Sequence, residues 1–176
     1  KNIAALTTTA VNALTTNLSA VLTSAQVNAL TSDEVNGLTS DEVSSLSTTV
    51  VNNLSANQLK LLTSAQAAGL QSSQVAALAT STILSMTTSA LSTLATLQVA
   101  ALNSSQVNVL TTTQANSLTS DQVNALSTTD LKNMSLKNIA ALTTTQVSGF
   151  ANEQITALTT TQLQGLSGGQ INALTT

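Results

Sequence analysis

A leucine stands at every eighth residue from Leu6 to Leu174, replaced only by Met86, Met134 and Phe150, and no insertion or deletion disturbs the step across 176 residues. A strict short period is the first thing to settle, because each repeat unit then becomes one structural unit. The chain reads as 22 octads forming a single continuous array over residues 1–176, without a linker or domain boundary.

The octad has an internal grammar. With the leucine at position 6, position 3 is Val, Ile or Leu in 19 of 22 octads, position 7 is Thr or Ser in 17, and position 2 is Gln or Glu in 14. Position 7 and the next octad's position 2 are three residues apart, which is the S/T-x-x-Q/E capping box. The hydroxyl accepts from the N3 amide while the Gln or Glu side chain returns to the N–H of the cap. The leucine before the cap and the aliphatic residue after the box are then the two ends of a hydrophobic staple. Each octad is therefore a helix start.

A continuous helix does not suit this period. Eight residues at about 100° each rotate the pattern by about 80° per octad, so the leucines would spiral around the rod. The grammar predicts instead a short helix restarted at each Thr or Ser, with a bend between. Isolated helices under about 12–15 residues are marginal in water, so such helices must stack coil upon coil. The expected fold is an all-α solenoid of 22 octapeptide repeats, with position 5, largely Ala, Gly or Ser, as the place where helices approach closely. A β-solenoid is the alternative, since Thr, Val and Ile favour strands. Against it, positions 3 and 6 have opposite parity and would point to opposite sheet faces.

The exceptions bear on the number of octads per coil. Small residues at position 3 (Ser19, Ala67, Ala115), substitutes at position 6 (Met86, Met134, Phe150) and glycines at position 5 (Gly37, Gly69, Gly149, Gly165) all fall in odd-numbered octads. That asymmetry predicts a coil of two octads, 16 residues, and a rod on the order of 100 Å at 8–10 Å between packed helices. A 24-residue coil is also compatible, because Ser19, Ala67 and Ala115 are 48 residues apart.

The inventory of reactive groups is short. The chain has no Cys, His, Pro, Trp or Tyr, four Lys or Arg, seven Asp or Glu, and a net charge of −3. It therefore has no thiolate or imidazole chemistry and no basic surface for nucleic acid. No apolar run approaches the roughly 18–20 residues of a membrane-spanning helix, and no signal-peptide pattern opens the sequence. All seven acids (Asp33, Glu34, Asp41, Glu42, Asp121, Asp130 and Glu153) fall at positions 1 or 2, the N2 and N3 sites where negative charge meets the helix dipole. The SDEV pair at 32–35 and 40–43 also raises a Ca²⁺ reading, without the glycine turn or ligand ladder of a calcium loop. LSGGQ at 166–170 is a string known from ATP-binding cassette transporters. Here it is the octad phrase with two glycines, and no phosphate-binding loop accompanies it. No catalytic, cofactor-binding or metal-binding residue is assigned, no cofactor is expected, and the chain is not expected to be an enzyme.

Residues 1–9, KNIAALTTT, recur at 137–145, as expected of an array grown by duplication. The first and last octads carry the ordinary phrase, whereas solenoids usually need polar end caps. The expectation is a segment of a longer array, or ends that join other copies. The stretches LTSAQVNALTSDEVNGL at 22–38 and LTTTQLQGL at 158–166 resemble the Thr/Gln-rich short-repeat regions of very large secreted or surface proteins of bacteria, of the adhesin and extracellular-matrix kind. The resemblance covers all 176 residues and implies an extracellular structural role. On this reading the chain is a rod or filament protein of the cell surface or matrix, with a spacer or adhesive role, whose partners are other copies of itself. The alternative is a solenoid binding module for a protein, a glycan or an ice surface.

Overall fold

The computed structural model describes residues 16–54, 58 and 62–174. The first octad, and with it the 1–9 copy of the duplicated segment, lies outside the described residues. Within them every element is a helix of four to six residues, and no strand occurs among the described residues. The fold is an all-α repeat solenoid, and the β-solenoid alternative is set aside.

Each octad spends about six residues on the helix and two on a corner. In the helix Ser32–Gly37 the chain leaves through Leu38 (φ −65°, ψ 135°), and Thr39 (φ −73°, ψ 163°) caps the next helix, Ser40–Ser45. Both corner residues are extended. None of the described residues has positive φ, so the turn does not require a glycine. Thr39 forms the box foreseen from the sequence: its hydroxyl accepts from the Glu42 N–H at 3.2 Å, and its own N–H donates to the Glu42 carboxylate at 2.7 Å.

The two-octad coil is corrected by the stacking. Ser40–Ser45 packs on Ser64–Gly69, Ser64–Gly69 on Thr88–Ser92, and Thr88–Ser92 on Thr112–Ser117. Each of these steps is 24 residues, three octads. Two extended residues without a positive-φ turn bend the chain but do not reverse it, so a coil closes with three sides. Burial gives the same number independently. Position 3 is sealed through Val147, whereas Ile155 and Leu163 are half-buried and Ile171 is 38% exposed. Three octads at the top of the described stack, one coil, thus lack a coil above them.

The core is a continuous column of positions 3 and 6, from Leu22 and Val27 to Leu166. Along one of the three sides position 3 reads Ser19, Val43, Ala67, Leu91, Ala115, Ile139 and Leu163, small alternating with large as far as Ile139. Alternation lets successive layers interdigitate at close-packed density. The 48-residue spacing seen in the sequence is therefore two coils of 24.

Candidate functional site

The recurring polar side chain of the octad, the Gln at position 2, faces inward. Gln66, Gln74, Gln106, Gln122 and Gln146 are at most 3% exposed. Burying a primary amide is costly unless its oxygen and both N–H groups find partners, and the corner supplies them. At Gln122 the side-chain oxygen accepts from the Thr119 N–H at 2.8 Å, while the Gln122 backbone N–H donates to the Thr119 hydroxyl at 3.2 Å. The amide nitrogen then crosses to the coil beneath and donates to the carbonyls of Leu91 at 3.0 Å, Ser92 at 3.2 Å and Leu94 at 2.6 Å. These carbonyls belong to the end of the helix Thr88–Ser92 and its corner, groups that a helix leaves unpaired. One side chain thus caps the start of its own helix and the end of a helix about 30 residues earlier.

The bridge recurs with little change. Gln106 reaches the carbonyls of Val75 and Leu78, Gln114 those of Ile83 and Met86, Gln146 those of Ala115 and Leu118, and Gln162 those of Leu131 and Met134. The substitutes show which half of the amide each function needs. Asn138, one methylene shorter, keeps the donor half: its amide reaches the Leu110 carbonyl at 2.7 Å. Glu34 and Glu42 keep the acceptor half, taking the N–H groups of Thr31 and Thr39 at 2.7 Å. Asp130 accepts on both oxygens, from the hydroxyls of Ser127 at 2.5 Å and Ser104 at 2.8 Å.

The sequence placed the acids at N2 and N3, and the structure puts them there in two classes. Glu34, Glu42 and Asp130 are buried at N3, while Asp33, Asp41, Asp121 and Glu153 are exposed at N2. The SDEV segments are two separate helix starts, and no three carboxylates converge among the described residues. LSGGQ is likewise a helix start, with Ser167 as cap and Gln170 closing the box. No pocket opens among the described residues, and no helix of theirs is long and apolar enough to cross a membrane.

The sequence located the capping half of the glutamine but not its bridging half. The carbonyl partners lie 28 to 31 residues away, and a local motif carries no trace of them.

Among known families, the ALTTAQ repeat model matches residues 98–128 and 123–160, together about a third of the 176-residue chain. The matched region contains the phrase ALTTTQ at 141–146, whose Thr143 and Gln146 form a capping box. This is a repeat-type protein. No curated protein and no solved structure matches the chain.

Proposed function

We propose that the chain is a structural rod of the bacterial cell surface or extracellular matrix, giving reach and joining other copies of itself. The observation that carries this reading is the direction of the glutamines. The most distinctive side chain of the repeat is spent on joining one coil to the next. The octads that carry it are thus specialised for continuing the stack, as in repeat proteins whose stability is a sum over neighbouring units. The resemblance to Thr/Gln-rich repeats of large secreted bacterial proteins supports the location.

End-to-end joining uses the same coil-on-coil contact. Ile155, Leu163 and Ile171 are the side chains that a further coil covers, as Leu131, Ile139 and Val147 are covered one coil lower. At three octads per coil the 22 octads make roughly seven coils. With 8–10 Å between packed helices the rod is about 60–75 Å long, shorter than the two-octad reading gives.

Electron microscopy of the purified chain over a range of concentrations, with small-angle scattering on the same samples, tests both parts. Rods of that length which lengthen in steps of one rod as concentration rises support the reading. Compact particles overturn the rod, and rods that stay single at every concentration overturn the joining.

A further inference from the structure

One corner of the rod turns an acid toward oxygen atoms. Asp130 stands at position 2, where glutamine stands in most octads, and it is 5% exposed. Both of its hydrogen bonds come from neutral hydroxyls, those of Ser127 and Ser104. Lys132, next but one in the chain, is exposed. A carboxylate withdrawn from water without a cation is costly, so the groups around it matter.

The glutamine bridges show which groups these are. The amide nitrogen of Gln106 sits 2.7 Å from the Leu78 carbonyl and 2.9 Å from that of Val75, and Gln122 and Gln162 repeat the arrangement. Those partners lie 28 and 31 residues back, so the carbonyls at the Asp130 corner are those of Leu102 and Val99. They belong to the end of the helix Thr96–Ala100 and its corner, where carbonyls carry partial negative charge. Asn138, the isostere of aspartate one octad later, donates to the equivalent Leu110 carbonyl at 2.7 Å. Asp130 has the length of Asn138 and no N–H to offer. Among the described residues no donor reaches the Leu102 carbonyl. Val50, Thr82 and Ala90 also lack an amide at position 2, but none of them brings a charge. Glu34 and Glu42 are acids at position 2 as well, and the carbonyls they face lie outside the described residues.

We infer that Asp130, Ser104 Oγ and the carbonyls of Leu102 and Val99 hold a hard metal cation, sodium or calcium, between two coils. Carboxylate, carbonyl and hydroxyl oxygens are the donor set of hard cations and not of zinc or copper. Magnesium demands near-ideal octahedral geometry and keeps its waters, which carbonyls fixed by a helix end do not suit. Ser104 Oγ already lies 2.8 Å from Asp130 Oδ1. The glutamine nitrogens mark the seat of the ion. They sit 2.7 and 2.9 Å from their carbonyls at Gln106, and calcium–oxygen contacts are about 2.3–2.6 Å, so a small closing of the carbonyls suffices. Asp130, one methylene shorter than glutamine, stops before that point. The ion then does at this corner what an amide does at the others, joining the start of the helix Thr128–Asn133 to the end of Thr96–Ala100. The site concerns the coil contact alone and holds wherever the protein acts.

Native-state amide hydrogen exchange on the full chain tests it, in calcium chloride or sodium chloride brought to equal ionic strength with choline chloride, whose cation is too large to enter. A single carboxylate puts the calcium dissociation constant on the order of 10⁻³ M. At about 10 mM calcium the amides of 96–104 and 128–134 are expected to exchange about tenfold more slowly than in choline alone, the effect of a ligand at ten times its dissociation constant. Slowing by calcium alone assigns a divalent ion, and slowing by sodium a monovalent one; either supports the site. No slowing there by either metal overturns it. Asp130→Asn supplies an amide as Asn138 does, and its exchange in these segments is expected to ignore both metals. A folded variant that still responds as wild type places the ion elsewhere and overturns the assignment. If that variant does not fold, the wild-type titration still decides, and Ser104→Ala is expected to weaken the response severalfold.

Discussion

Leu136 lies directly under Gly165: a β-carbon built on Gly165 would sit 2.5 Å from Leu136 Cδ1. Leu136 opens the helix Leu136–Ala141, at a position where most helices of the rod have Ser or Thr, and Gly165 follows the helix Thr160–Gln164 stacked above. The same 29-residue relation joins Ser40 to Gly69 and Ser120 to Gly149. Position 5 of one coil thus rests on the first helical residue of the coil below, and a large residue there is matched by glycine.

The glycines should therefore differ when replaced by alanine. At Gly69 the new methyl would meet the backbone of Ser40, with its carbonyl oxygen at 2.8 Å and Cα at 2.9 Å, so the helices must separate. Overpacking of this kind costs about 1–3 kcal/mol. Gly165→Ala meets only the end of a leucine and should cost less, with Leu136→Ser restoring the loss. Gly168 has open space around it, and Gly168→Ala should stabilise by about 0.5–1 kcal/mol through the unfolded chain. Thermal denaturation of the variants gives the order directly, and a Gly69→Ala protein as stable as wild type would refute the close approach.

Gln122 offers a test of the bridge with a pH signature. Gln122→Glu keeps the acceptor for the Thr119 N–H but turns a carboxylate oxygen toward the carbonyls of Leu91 and Leu94, which then lose their donor. Buried acceptors left unpaired cost about 1–3 kcal/mol. Burial and the facing carbonyls raise the folded-state pKa of the new carboxyl above its unfolded value, so the folded state binds the proton more tightly. Stability should climb as pH falls through the folded pKa, and the gain is complete below the unfolded value of about 4.3. Urea midpoints of Gln122→Glu and Gln122→Ala against pH separate the cases, since the alanine variant has no carboxyl at this position to titrate.

The sequence was legible where its signals were local. Thr119 and Gln122 are three residues apart, and their capping box could be read from that spacing alone. The core positions followed from Leu6 to Leu174 recurring in step. The number of sides was not legible, because Ser19, Ala67 and Ala115 satisfy 16 and 24 equally when they are 48 apart. The reach of Gln122 to Leu94 was hidden for a related reason: a bond across coils shows in the sequence only once the coil length is known.

Register should matter more than any single cap. Thr119→Ala removes one hydroxyl acceptor from the Gln122 N–H and should cost about 1 kcal/mol, with Thr119→Ser nearly neutral. Deleting the exposed Thr113 alone moves every later glutamine one residue off its carbonyls and rotates the following helices. That deletion should abolish cooperative unfolding of the stack. Removing the 24 residues 97–120 keeps every later octad on its own side of the coil and should leave a shorter cooperative rod. Circular dichroism melts of the three proteins check this, and equal tolerance of the two deletions would be incompatible with three-sided stacking.

The small residues of the core make a reciprocal prediction. Ala115 lies on the helix Thr112–Ser117, which packs between Thr88–Ser92, carrying Leu91, and Leu136–Ala141, carrying Ile139; all three side chains are fully buried. Ala115→Leu places three large residues in successive layers and should cost about 1–3 kcal/mol by overpacking. Leu91→Ala alone leaves a cavity and should cost about 2–5 kcal/mol. Combined, the two substitutions invert the alternation locally instead of breaking it, so their sum should exceed the measured loss by about 1 kcal/mol or more. A double-mutant cycle by chemical denaturation measures that difference. Strict additivity would mean that the alternation of Ala67, Leu91, Ala115 and Ile139 is incidental to the packing, and that the layers of this column do not interdigitate.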